Sequence, residues 1–145
     1  MFVVDTNVLV CAFIQEAPGH SQAQRALHEW SGSTEPWAVT WSIVYEFLSV
    51  STQRAAFARP PSFAESWTFI QTLRGFASFQ ILPETERHPE VIDELVREYP
   101  HMSGTRLHDL HIAAIMREHG ITEICTADTD FHQFKFLRVT NPLAT

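Results

Sequence analysis

Five short apolar runs, FVVD, WAVTW, FQIL, EICTA and FLRVT, recur along the chain, and stretches of helical periodicity fill most of the gaps between them. Strand-length runs that alternate with helices fold as a parallel sheet with helices on both faces, because each crossover lays its helix over the sheet. The helices are read at TNVLVCAFI, at residues 18–31, at SIVYEFLSVSTQR with Ser42 as its N-cap, at FAESWTFIQTLRGF, around PEVIDELVREY, and at TRLHDLHIAAIMREHG, which Gly120 closes. DTDFHQF is read as a loop between the last two strands. There is no repeat and no linker, so residues 1–145 are expected to form a single domain.

In such a sheet, ligands bind along the edge where the strands end and the helices begin. Sequence alone places acids there. Asp5 ends the first strand, Glu46 lies about one turn into the helix after WAVTW, Asp109 opens the helix TRLHDLHIAAI, and Asp128 and Asp130 follow EICT. Taken singly, most have an ordinary explanation. Asp5 can cap a helix. Glu46 shares a polar stripe with Ser42, Ser49 and Gln53, and DTD is turn chemistry. Asp109 is the exception: Ile112, Ala113 and Met116 stand three, four and seven residues on, so it heads an apolar face. Carboxylates gathered at one edge repel and raise one another's pKa unless a cation holds them. Oxygen donors of this kind suit Mg²⁺ or Mn²⁺.

The net charge of −7 does not by itself describe a nucleic-acid binder, and the ten basic residues are nine arginines and Lys135. Acidity therefore either argues against a polyanionic ligand or means that some of the acids hold metal. Cys11 and Cys125 stand in apolar contexts and are read as small buried hydrophobes, neither a disulfide nor a zinc pair. No apolar run approaches a membrane span, and Met1 abuts the first strand with no room for a signal peptide, so a cytoplasmic protein is expected.

DTNVLV, the helix segment YEFL with Glu46, HDLHIAA with Asp109, and TADTDF together resemble the PIN-domain ribonucleases, in particular the VapC-type toxins of toxin–antitoxin pairs. The likeness runs through RPPSF, ERHPE and EHGITEICTADTDF to FLRVTNPL, and it rests on the order and spacing of these segments. It implies a three-layer α/β/α sandwich around a five-stranded parallel sheet. It also implies a catalytic set of Asp5, Glu46, Asp109 and Asp128, with metal on Asp5, Asp109 and Asp128. Thr6, Asn7, Thr126 and Asp130 would support that set, and Leu110 stands where family members commonly have alanine. The implied reaction is endonucleolytic hydrolysis of RNA, with Mg²⁺ or Mn²⁺ activating a water, Glu46 positioning metal or water, and products bearing a 5′-phosphate and a 3′-hydroxyl. A homodimer and a cognate antitoxin are the implied partners.

Other readings are weighed on the same residues. His108 and His111 flank Asp109 and suggest zinc, but with no third histidine or cysteine beside them in sequence they are read as polar or packing residues, His111 also as a rim contact for RNA. Arg54 and Arg59 bracket a loop read as lying near the substrate groove and are candidates for phosphate contacts, ahead of Arg74 and Arg106. Phe57, Phe63, Trp67, Phe69 and Phe76 are read as packing a helical hairpin, with part of the cluster available to an antitoxin. A signalling receiver would want paired acids after the first strand and a lysine after the last, and an aspartyl phosphatase a second acid two residues after Asp5. Thr6, Asn7 and the position of Lys135 fit neither. A binding module that keeps the fold without the chemistry is the remaining alternative.

Overall fold

In the computed structural model, which describes residues 1–145, the apolar runs are the strands of one parallel sheet: β1 (Phe2–Val4), β2 (Trp37–Thr40), β3 (Phe79–Leu82), β4 (Glu123–Cys125) and β5 (Arg138–Thr140). Six helices fill the gaps: α1 (Thr6–Phe13), α2 (His20–Gly32), α3 (Trp41–Ser51), α4 (Phe63–Arg74), α5 (His88–Glu98) and α6 (Arg106–Glu118). β1 and β2 are buried throughout, as strands covered on both faces must be, whereas the edge strands β3 and β5 keep exposed or half-exposed positions. Trp37 fills the centre of one layer, tilted against Trp30 and edge-on to Phe79. Its indole N–H donates to Ser78 Oγ at 3.2 Å, so the buried ring carries no orphaned donor.

The strand order is β3-β2-β1-β4-β5. The chain builds outward from β1 through β2 to β3, crosses back, and builds outward again through β4 to β5. Between β1 and β4 the direction in which the sheet is built reverses, and the chain leaving the two strands parts to either side. That reversal opens a crevice at the C-terminal ends of β1 and β4.

Three local expectations change. α3 is capped by Thr40, whose hydroxyl accepts from Ile43 N–H at 3.2 Å; Ser42 lies inside the first turn and bonds Thr40 Oγ1 at 2.8 Å. The last residue of β2 is already extended, which is the backbone a cap requires, so the cap falls two residues early. DTDFHQF is no open loop: Thr129–Gln133 wind a short 3₁₀ turn, begun by Asp128 and anchored by the buried Phe131. Cys125 is buried as expected but Cys11 only half so, and neither is in a disulfide. α6 ends as the sequence indicates. Gly120 adopts φ +69°, its N–H donates to Arg117 O, and Ile121 N–H reaches back to Met116 O, the paired bonds of a left-handed C-terminal cap. No helix is long and apolar enough to cross a membrane.

Candidate active site

Asp5 sits at the mouth of the β1/β4 crevice and is 5% exposed. The bland reading of this residue holds, and so does the other. One carboxylate oxygen caps α1 by accepting from Thr6 N–H at 2.8 Å. The second accepts from Asn7 Nδ2 at 2.9 Å and from Thr126 Oγ1 at 2.7 Å. Three donors are still too few. Burial raises the Asp5 pKa to about 6, against the lowering effect of the Thr126 and Thr6 bonds, and the charges of Glu46 and Asp128 add to the rise.

Thr126 joins the two strands chemically. It follows β4, and its hydroxyl donates to Asp5 while accepting from Asn7 Nδ2 at 2.9 Å and from the backbone N–H of Asp128 at 2.9 Å. All the hydrogen-bonding capacity of a hydroxyl is used. Asn7 completes the lacing, its Oδ1 accepting from Ala127 N–H at 3.0 Å. The supporting polar residues of the sequence reading are therefore where they can set the acids' positions.

Asp109, Asp128 and Asp130 each bring a carboxylate oxygen within 4.8 Å of the other two. Asp128 is held by its own turn, accepting from Asp130 N–H at 2.8 Å. Asp109 has no such partner. Burial and then the charges of Asp128, Asp5, Asp130 and Glu46 raise its pKa to about 6, with no hydrogen bond to offset them. Glu46 is exposed on α3, as its polar stripe indicates, yet it is not idle: it accepts from Thr6 Oγ1 at 2.8 Å, which ties α3 to the start of α1. Five carboxylates thus act on one another at one end of the sheet. Two acids with raised pKa values, no compensating lysine or arginine among the charges that act on them, and oxygen-only donors describe a site chemically suited to a hard divalent cation.

Other named residues lie elsewhere. Arg59 lines a groove with Phe13, Glu16 and Pro61 at the far end of α1, about 12 Å from the acids for a helix of this length. Arg54 lines a second groove with Pro60 of the same loop and with Phe63 and Glu65 at the start of α4. Neither groove is lined by any acid of the cluster. Phe69 packs against Phe13 and Phe47, as expected of the helical hairpin, but Phe63 is 69% exposed. His108 is exposed. His111 turns away from the acids and meets Glu84 and His88. A further histidine does stand beside it, then, in a cluster that sequence spacing could not reveal.

A family model described as the PIN domain matches residues 2–137. The chain belongs to the PIN domain family. Among similar PIN-family proteins, ribonuclease VapC43 of Mycobacterium tuberculosis is 29% identical over 143 residues, covering 99% of this chain and 96% of its own. The crystal structure of M. tuberculosis VapC20, titled a sarcin-ricin loop cleaving toxin, aligns with a TM-score of 0.65 at 16% identity, over 92% of this chain and 94% of that one. A toxin–antitoxin complex from Klebsiella pneumoniae contains a chain that aligns with a TM-score of 0.61 at 21% identity, over 98% of each. The five-stranded parallel sheet and flanking helices are those of a PIN domain.

Proposed function

We propose that this PIN domain is a metal-dependent endoribonuclease that serves as the toxin of a toxin–antitoxin pair. The observation that carries the reading is the convergence of Asp5, Glu46, Asp109, Asp128 and Asp130 at the β1/β4 crevice, where neighbouring carboxylates raise the pKa values of Asp5 and Asp109 and no lysine or arginine is among the charges that act on them. The ribonuclease name of the VapC43 relative, similar over nearly its whole length, supports the activity, and the toxin–antitoxin complex supports a protein partner. A homodimer is part of the same proposal. The unpaired thiols of Cys11 and Cys125 fit the cytoplasm.

Asp5, Asp109 and Asp128 would hold Mg²⁺ or Mn²⁺. Bound there, the cation supplies Lewis acidity at the phosphate and a water of lowered pKa. The chain's own groups do the rest. Thr126 and Asn7 fix the aim of Asp5; the Asp128 turn fixes a second carboxylate; Asp109, with no donor of its own, is free to adjust to what it binds. Glu46, held by Thr6, would position the metal or the attacking water from α3. Asp130 adds negative charge at the rim. Arg54, Arg59 and His111 are left as outlying contacts for a long polyanion.

A receiver-like module is the competing reading, and the topology speaks against it, since receivers order their strands 2-1-3-4-5 and this sheet runs 3-2-1-4-5. The deciding experiment incubates the purified protein with total RNA and transfer RNA, with Mg²⁺, with Mn²⁺ and with chelator, beside an Asp5→Asn variant. Metal-dependent cleavage by the wild type alone is expected. Equal cleavage by both proteins, or metal binding without cleavage of any RNA, would sink the nuclease reading.

A further inference from the structure

Glu84, His88 and His111 converge at the far side of α6 from the acids. His111 Nε2 lies 2.7 Å from Glu84 Oε1, the two imidazole rings stand edge to face with centroids 5.6 Å apart, and the three residues bring one ligand atom each within 4.8 Å of the others. They come from three places: the segment after β3, the first residue of α5, and the second turn of α6.

The neighbourhood of His88 is built rather than incidental. Its Nδ1 pairs with Glu118 Oε2 at 2.6 Å, and the Glu118 side chain is completely buried. Glu118 in turn accepts from both the backbone N–H and the hydroxyl of Thr85, at 2.7 and 2.8 Å. A buried carboxylate gripping one imidazole nitrogen fixes the ring's tautomer and leaves Nε2 as the coordinating atom, the carboxylate–histidine arrangement found behind metal-bound histidines. An ion pair with Glu84 accounts for His111 alone. It does not account for a second imidazole oriented from behind by a buried carboxylate and turned edge-on to the first.

We propose that Glu84, His88 and His111 form a second metal site, selective for Zn²⁺ or a similar borderline transition ion, with Glu118 and Thr85 orienting His88. Two imidazoles and a carboxylate are a zinc donor set with its fourth position open. Mg²⁺ prefers the all-oxygen cluster at the β1/β4 crevice. Zinc ligands bonded at about 2.0–2.1 Å stand about 3.3 Å apart around a tetrahedral ion, so closure requires only rotation of Glu84 and His111, the more exposed of the three. A metal held there ties α6, which carries Asp109, to the segment after β3. The site is independent of whether the chain cleaves RNA.

The test titrates metal-free protein with Co²⁺ in a large excess of Mg²⁺, so that the oxygen cluster is already filled, and follows visible absorption and heat. One equivalent of Co²⁺ is expected, giving a visible band that Zn²⁺ abolishes by displacement. His111→Gln should lose the band, Glu84→Gln should weaken binding at least about tenfold, and Asp128→Asn should retain it. Far-UV circular dichroism checks that each variant is folded, and Glu84→Gln, altered at an exposed residue, stands in should His111→Gln fail to fold. No saturable band in the wild type, or a band that survives both substitutions, or one lost in Asp128→Asn, would overturn the site.

Discussion

The hydroxyl of Thr126 donates to the carboxylate of Asp5 at 2.7 Å across 121 residues of sequence. It is the shortest link between the ends of β1 and β4, and it does most to hold the Asp5 pKa down against burial.

Thr126→Val keeps the side-chain shape and removes the hydroxyl. Asp5 loses a donor, and Asn7 Nδ2 and Asp128 N–H lose an acceptor. We expect a loss of about 1–3 kcal/mol in urea unfolding, a further rise in the Asp5 pKa, and weaker Mg²⁺ binding. Thr126→Ser should restore most of both properties. A valine variant with unchanged metal affinity would show that the hydroxyl has no part in positioning the acids.

Burial raises Asp5 to about 6, and burial with four neighbouring carboxylates does the same for Asp109. Metal binds the ionised forms, so cleavage and Mg²⁺ affinity should both climb as pH rises through about 6 and level off above 7. A pH–rate profile at several Mg²⁺ concentrations checks this, and the midpoint should move to lower pH as Mg²⁺ increases.

The same shifts fix the sign of the metal-free stability curve. Both groups bind protons more tightly folded than unfolded, so their contribution is greatest below about pH 4 and is lost as pH rises through about 6. For Asp5 the difference is about 3 kcal/mol. Between those limits the metal-free protein should become less stable with rising pH as far as these groups are concerned, and Mg²⁺ should restore stability at pH 7. Urea unfolding with Mg²⁺ and with chelator at pH 5 and 7 measures both effects.

Asp109→Asn removes a charge that no hydrogen bond supports. Cleavage should fall to background while the metal-free protein becomes more stable at pH 7, its melting temperature rising by a few degrees. Mg²⁺ should then stabilise the variant less than the wild type. Loss of activity together with loss of stability would mean that Asp109 holds the fold and not the ion.

Ser62 and Glu65 form a reciprocal capping box at the start of α4, the serine accepting from Glu65 N–H at 3.1 Å and the glutamate from Ser62 N–H at 3.2 Å. Ser62→Ala should cost about 1 kcal/mol of stability and leave RNA cleavage unaltered, since the box stands well away from the acids.

The sheet and its parallel sense were legible in FVVD and WAVTW, whose strands are covered on both faces and leave an uninterrupted apolar run, and in the helical periodicity between most of the strands. FQIL, at the edge, was recognisable despite its exposed Gln80. Asp109 stood out for the same kind of reason: helical spacing put a charge at the head of an apolar face. Less could be read of what binds the acids to one another. Glu46 looks like a solvated stripe residue until Thr6, 40 positions away, donates to it. The pairing of His88 with Glu118, separated by 30 residues, has no local signature either. Spacing along one element reports which face a side chain takes, but contacts between elements depend on how the layers pack. Ser42 failed differently, because two hydroxyl residues two positions apart, Thr40 and Ser42, can each cap a helix and only the end of the strand decides between them.

The reversal of strand order between β1 and β4 also bears on how the protein is made. Asp5 is synthesised 121 residues ahead of Thr126, and β4 cannot lie beside β1 until it too has been made. A nascent chain that has already laid down β1, β2 and β3 still holds only half of the crevice. On the proposed function, no working nuclease exists until β4 has emerged, by which time β1, β2, β3 and the helices between them are already open to the grasp of a partner protein.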